Sequence, residues 1–179
     1  MARPMTTRTQ TSRRAAERAV ARPIATILAL ALLAALLLLL AEVSTVASVD
    51  LEGESCEVVY DTRPELADRC SLSGWERHGG ALILLALLAA GAALAVRAGR
   101  VAAAGAVLTA IGLVTLGVTL IGDLSVTGDT GAIGSTDLAA ASASAGLGFY
   151  LELLGGLLCV VAGALALAFA RREPPPAAS

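Results

Sequence analysis

Apolar residues in this chain come in long unbroken runs, without the alternation of a half-buried strand or the single stripe of a soluble amphipathic helix. Four stretches carry no charge, at 23–41, 79–96, 101–122 and 153–170, each close to the ~20 residues a helix needs to cross a bilayer core. The pattern predicts an all-α membrane protein, a four-transmembrane-helix bundle. Its spans are 23–41, 79–96, 101–122 and 148–170, with tails 1–22 and 171–179, outer segments 42–78 and 123–147, and a turn at 97–100. That turn, Arg97-Ala98-Gly99-Arg100, is short enough to force spans two and three into an adjacent antiparallel hairpin. In the second outer segment, Ser135, Thr136 and Asp137 offer capping oxygens, which predicts a short helix over Leu138 to Ala145 ending at Gly146.

Composition agrees with this pattern. The chain is 56% hydrophobic and 16% charged, with 18 glycines in 179 residues, far from the balance of a soluble globular enzyme. The distribution of charge adds orientation. All thirteen basic residues are Arg, and ten lie in the N-terminal tail, the 97–100 turn and the C-terminal tail. Segment 42–78 instead holds nine acids against Arg63, Arg69 and Arg77, and Asp123, Asp129 and Asp137 lie in the second outer segment. The positive-inside rule then sets both termini in the cytoplasm, in a multi-pass protein of the plasma membrane. A cleaved signal peptide is the competing reading of span one, but its apolar run, Ile24 to Ala41, is longer than the ~7–15 residues of a signal core. Arg13-Arg14 lacks the apolar residues that follow a twin-arginine export pair.

Candidate chemistry is sparse. Cys56 and Cys70 lie in the first outer segment, on the side of a membrane where disulfides persist. A bond between them would staple a small acidic lobe, worth roughly 3 kcal/mol for a loop of ~15 residues. The strand-like run Cys56 to Tyr60 belongs to that lobe. The close spacing of catalytic dithiols is absent, and Cys159, deep in span four, reads as a small packing residue.

In span four, Gly155, Gly156, Cys159 and Gly163 share one nearly bulk-free face, and span three offers a matching stripe that includes Gly105 and Gly112. The two faces are expected to pack together within one chain, with homo-oligomerisation through span four as the rival use. Glu152 lies on the same stripe and is the candidate intramembrane polar residue. Its position about one turn from the outer surface points to an interfacial carboxylate reached by water. Thr109, Thr115 and Thr119 are expected to bond to their own helix or across the hairpin. His78, the single histidine, has no ligand partner at metal-site spacing and reads as interfacial. Trp75 and Tyr150 stand where spans two and four meet the outer surface, as aromatic anchors. The glycines of Gly128 to Thr136 lack the Lys and spacing of a phosphate loop, and Asp129 and Asp137 lack the alternating oxygens of a calcium loop. No catalytic residue, cofactor or metal site follows from these motifs.

At Ser73-Gly74-Trp75-Glu76 before span two, and Gly148-Phe149-Tyr150-Leu151 opening span four, the chain resembles small uncharacterised four-span membrane proteins of high-GC Gram-positive bacteria. That group carries no established activity. The layout is also similar to that of claudin-type proteins, although Trp75 follows the cysteine pair here rather than preceding it. The expectation is a non-enzymatic assembly or adaptor component of the cell envelope, with the lipid bilayer and another envelope protein as partners and no nucleic acid. A small transporter or channel subunit using Glu152, and a membrane thiol oxidoreductase using Cys56 and Cys70, are the alternatives.

Overall fold

The computed structural model describes residues 7–51, 71–123 and 141–172. Cys56, Cys70 and the strand expected after Cys56 lie outside these residues, as do Asp129 and Asp137. Helix α1 spans Thr7–Val43 and strand β1 Thr45–Leu51; β2 covers Ser71–Ser73 and leads into the short helix α2, Gly74–His78. Helices α3, Ala81–Arg97, and α4, Val101–Gly117, follow, and α4 runs on as a π-helical turn over Val118–Asp123. Strand β3, Ala141–Ala145, precedes α5, Leu147–Ala170.

The protein is mostly helical, and three of its helical segments are long and apolar enough to cross a membrane: Ala21–Val43, Val101–Asp123 and Leu147–Ala170. Helix α3 is apolar too but shorter, at 17 residues. Helix α1 continues through Pro23, beyond the limits 23–41 expected for its apolar run.

Around the bundle, α1 packs on α3, α3 on α4, α4 on α5 and α5 back on α1. The core residues explain the arrangement. In α1 they are Ile27, Ala31, Ala34, Leu38 and Ala41; in α3, Leu82, Ala86, Ala89, Ala93 and Val96; in α5, Gly155, Cys159, Ala162 and Ala166. Steps of three and four alternate throughout, the 3.5-residue repeat of helices that wrap gently around one another. Most of these side chains are alanine, while leucines such as Leu84, Leu87 and Leu94 are 60–67% exposed. Small residues inside and bulky apolar ones outside suit helices that meet each other closely and turn their outer surface to lipid.

The tightest seam joins α4 to α5. A Cβ at Gly112 would stand 2.6 Å from the Gly156 carbonyl oxygen and from Val160 Cγ2, and one at Gly163 would run into Thr109 and the Gly105 carbonyl. Gly156 meets Thr115 and Leu116 of α4, whereas Gly155 faces Leu38 and Ala34 of α1. The glycine stripe of α5 therefore serves two neighbours. Cys159 is fully buried between them.

One end of the bundle carries an antiparallel sheet in the order β2-β1-β3, which the expected all-α class did not include. Ala47 pairs with Ala145 and Leu51 with Ala141, while Ser48 lies opposite Ser71 on the other side. The helix expected over Leu138 to Ala145 is thus a strand from Ala141 onward. Alanine favours helix, but an isolated eight-residue helix is marginal in water. Here β1, rich in β-branched residues, offers a pairing edge instead. The sheet also ties helix ends together, because β1 follows α1 after Ser44 alone and β3 leads into α5 through Gly146, whose N–H donates to the Val46 carbonyl at 2.8 Å.

Candidate functional site: a buried polar cluster at one end of the bundle

The five buried polar or charged residues among those described are Glu42, Thr115, Thr119, Asp123 and Glu152. The three carboxylates belong to three different helices and gather at the end that carries the sheet. Glu42 continues the inward spacing of Leu38 in the last turn of α1, and Glu152 precedes Gly155 on the inward line of α5. Asp123 closes the π turn. This turn takes more residues per revolution than an α-helix, so Thr115, Thr119 and Asp123 stay on the buried side despite their spacing of four. Thr119 donates its hydroxyl to the Thr115 carbonyl at 2.9 Å, and Thr109 does the same to Gly105.

Helix α2 supplies the cations. Ser73 caps it by accepting the Glu76 N–H, and the Glu76 carboxylate accepts the Ser73 N–H at 2.9 Å and the Ser73 hydroxyl at 2.7 Å. These bonds to Ser73 hold the Glu76 carboxyl below its usual range. The chain then leaves α2 through Gly79 and Gly80, at φ 59° and 89°, a left-handed pair that residues with a Cβ seldom adopt. That corner turns the chain from α2 into α3 within two residues. The Gly80 N–H donates to Glu42 Oε1 at 2.6 Å, fastening the corner to α1.

Arg77 Nε donates to Asp123 Oδ1 at 2.9 Å and Nη2 to the Gly122 carbonyl at 3.0 Å. His78 Nε2 lies 3.3 Å from Glu152 Oε2 and 3.7 Å from Asp123 Oδ2. Its side chain is only 6% exposed. The Glu152 carboxylate, the nearest acceptor, holds the His78 imidazolium above its ordinary pKa; burial opposes this, and Asp123 and Glu42 add to it. The short distances do not amount to satisfied hydrogen bonds. His78 Nε2, Asp123 Oδ2, Glu42 Oε2 and both oxygens of Glu152 have no hydrogen-bond partner.

Two expectations are corrected here. His78 is not a lone interfacial residue, since two carboxylates from other helices face its ring. Glu152 is not a water-reached interfacial carboxylate, being fully buried at 0% exposure. Its place on the small-residue stripe was the signal for burial, because a position that continues a 3.5-residue inward repeat faces the neighbouring helices at whatever depth it stands. Asp123 and Glu42 lie on the same kind of spacing but close apolar runs at a boundary, where a charged residue reads as the first of a loop. Nothing along the chain pairs residue 78 with residues 123 and 152. Trp75 and Tyr150 are each 58% exposed at this end, and Phe149 meets Tyr150 edge to face at 5.4 Å. Together His78, Asp123 and Glu152 offer three ligand atoms within 4.8 Å of one another, a set able to hold a cation. Set against protein-family models, curated proteins and solved structures, the chain matches none.

Proposed function

We propose that this chain is a four-pass protein of the cytoplasmic membrane, both termini cytoplasmic, and that it acts as a non-enzymatic assembly or adaptor component of the envelope. Helix α3 is the fourth span. At ~1.5 Å per residue its 17 residues reach about 26 Å, near the lower limit for crossing. Arg22 and Arg172 flank the end of the bundle opposite Glu42, Asp123 and Glu152, and Pro23 and Arg172 line one cavity there. Arginine at one end and carboxylate at the other is the asymmetry that orients helices in a membrane. The Cys56–Cys70 staple belongs to the same proposal, as part of an outward acidic lobe.

The observation that carries the adaptor reading is that, among the described residues, buried charge is confined to the outer end, above an interior of Ala, Gly and Leu. Transporters usually set polar groups near the midplane, often at a broken helix. Thr109 and Thr119, which a permeation path would use, spend their hydroxyls on their own helix backbone.

Two measurements test the reading. In sealed liposomes the purified chain is expected to leave proton and cation gradients intact, and photo-crosslinkers at Trp75 and Tyr150 in cells are expected to give one discrete protein adduct. Ion flux abolished by Glu152→Gln would replace the adaptor with a transporter. Lipid adducts alone at both positions would remove the partner.

A further inference from the structure

We propose that His78, Asp123 and Glu152 form a binding site for a divalent transition-metal ion of the zinc class, which clamps α2 to the outer ends of α4 and α5. The inference goes beyond the adaptor reading and does not rest on it.

Three observations carry it. The first is unanswered polarity. Glu152 is fully buried with neither oxygen hydrogen-bonded, and His78 Nε2 and Asp123 Oδ2, buried beside it, are met only by ion-pair contacts at 3.3 Å and 3.7 Å. Leaving such groups without partners costs about 1–3 kcal/mol each, more where they are charged, so their convergence on one point calls for an occupant. The second is charge. Three carboxyl side chains, Glu42, Asp123 and Glu152, gather at this end against a single arginine, Arg77, which is paired to Asp123, a surplus of acidic groups that suits a divalent cation.

The third is spacing. Ligand atoms bound to one ion at roughly 2.0–2.2 Å stand about 3.0–3.5 Å apart. The 3.3 Å separation of His78 Nε2 from Glu152 is of that size, the 3.7 Å to Asp123 is slightly wider, and with all three donors within 4.8 Å a small inward shift would close the set on an ion. An imidazole nitrogen beside two carboxylates suits zinc and its first-row neighbours rather than calcium or magnesium, which take all-oxygen sets. Arg77 on Asp123 Oδ1 then acts as an outer partner that orients the ligating carboxylate. The backbone supports the same purpose. The Gly79-Gly80 corner and the π turn deliver His78 and Asp123 to Glu152, and π turns of this kind recur at functional sites.

The test uses the full chain, purified without a polyhistidine tag in lipid nanodiscs, stripped with chelator and dialysed against Zn²⁺ in excess Mg²⁺. One Zn²⁺ per chain is expected. Asp123→Asn and Glu152→Gln should each weaken binding about ten-fold or more, while Glu76→Gln, exposed on the same helix as His78, should not change it. Because His78 is the only histidine, the Co²⁺ form should show paramagnetically shifted imidazole resonances assignable to it, and this readout needs no variant to fold. Zinc retention by Glu152→Gln equal to the parent, or Co²⁺ bound with no shifted imidazole signal, overturns the site and leaves His78 as a bridge between two carboxylates.

Discussion

The α4–α5 seam and the polar end of the bundle are both shielded from solvent, yet they are held together by opposite means. In the seam, Gly105, Gly112, Gly156 and Gly163 remove side chains so that backbones approach, and the contact is one of shape. At the sheet-bearing end, Glu42, His78, Asp123 and Glu152 bring ionisable groups into the same degree of burial, and the contact is one of charge. A seam of shape tolerates no added atom. A cluster of charge tolerates added atoms better than it tolerates a missing partner. A seam of this kind can form in an apolar solvent, where there is no hydrophobic drive between helices.

Substitutions that add bulk to the seam should do most damage. Gly112→Val meets the Gly156 carbonyl and Val160 at once, and a loss of about 3 kcal/mol is expected, read as a lowered unfolding midpoint in a mixed-detergent titration. A change below ~0.5 kcal/mol would mean that the two helices separate freely and that shape does not hold them. At the charged end, Asp123→Ala takes away the partner of Arg77 and one neighbour of His78. Arg77 is a third exposed, so water screens part of the loss, and about 1–2 kcal/mol is expected in metal-free protein. Equal losses at Gly112 and Asp123 would erase the contrast between shape and charge.

Smaller effects sharpen it. Ser73→Ala opens the capping box of α2 and should cost about 1 kcal/mol, with faster amide exchange confined to residues 74–78. Exchange spreading into α3 would show that the corner at Gly79-Gly80 does not insulate the two helices. Gly91→Ala should shift stability the other way. Nothing lies within 4 Å of a Cβ placed there, so the backbone entropy saved should stabilise α3 by about 0.5 kcal/mol, seen as a slightly raised midpoint. Destabilisation there would reveal a neighbour on that face, such as a second copy of the chain.

Much of this architecture was legible in the chain. Runs of apolar residues long enough for a bilayer, the four-residue hairpin at 97–100 and the glycine stripes of α4 and α5 are local features, and they follow from the backbone's need to satisfy its own hydrogen bonds away from water. Reading failed where the partner was distant in sequence. The Ala-Ser run at 141–145 has the composition of a helix and becomes a strand because β1, almost a hundred residues earlier, offers it an edge. Glu152 carries the right periodicity, but distance from the helix end says nothing of the sheet that packs there.

By itself the sequence determined which segments are apolar, which helix faces are small, and in which segments the arginines gather, since each depends on spacing along one segment. Only the tertiary structure decided that residues 42, 78, 123 and 152 share one buried place, because that depends on a left-handed glycine corner, a π turn and a sheet registering with one another. Side chains from four helices converge through the packing of the whole bundle, and no single segment carries the record of it.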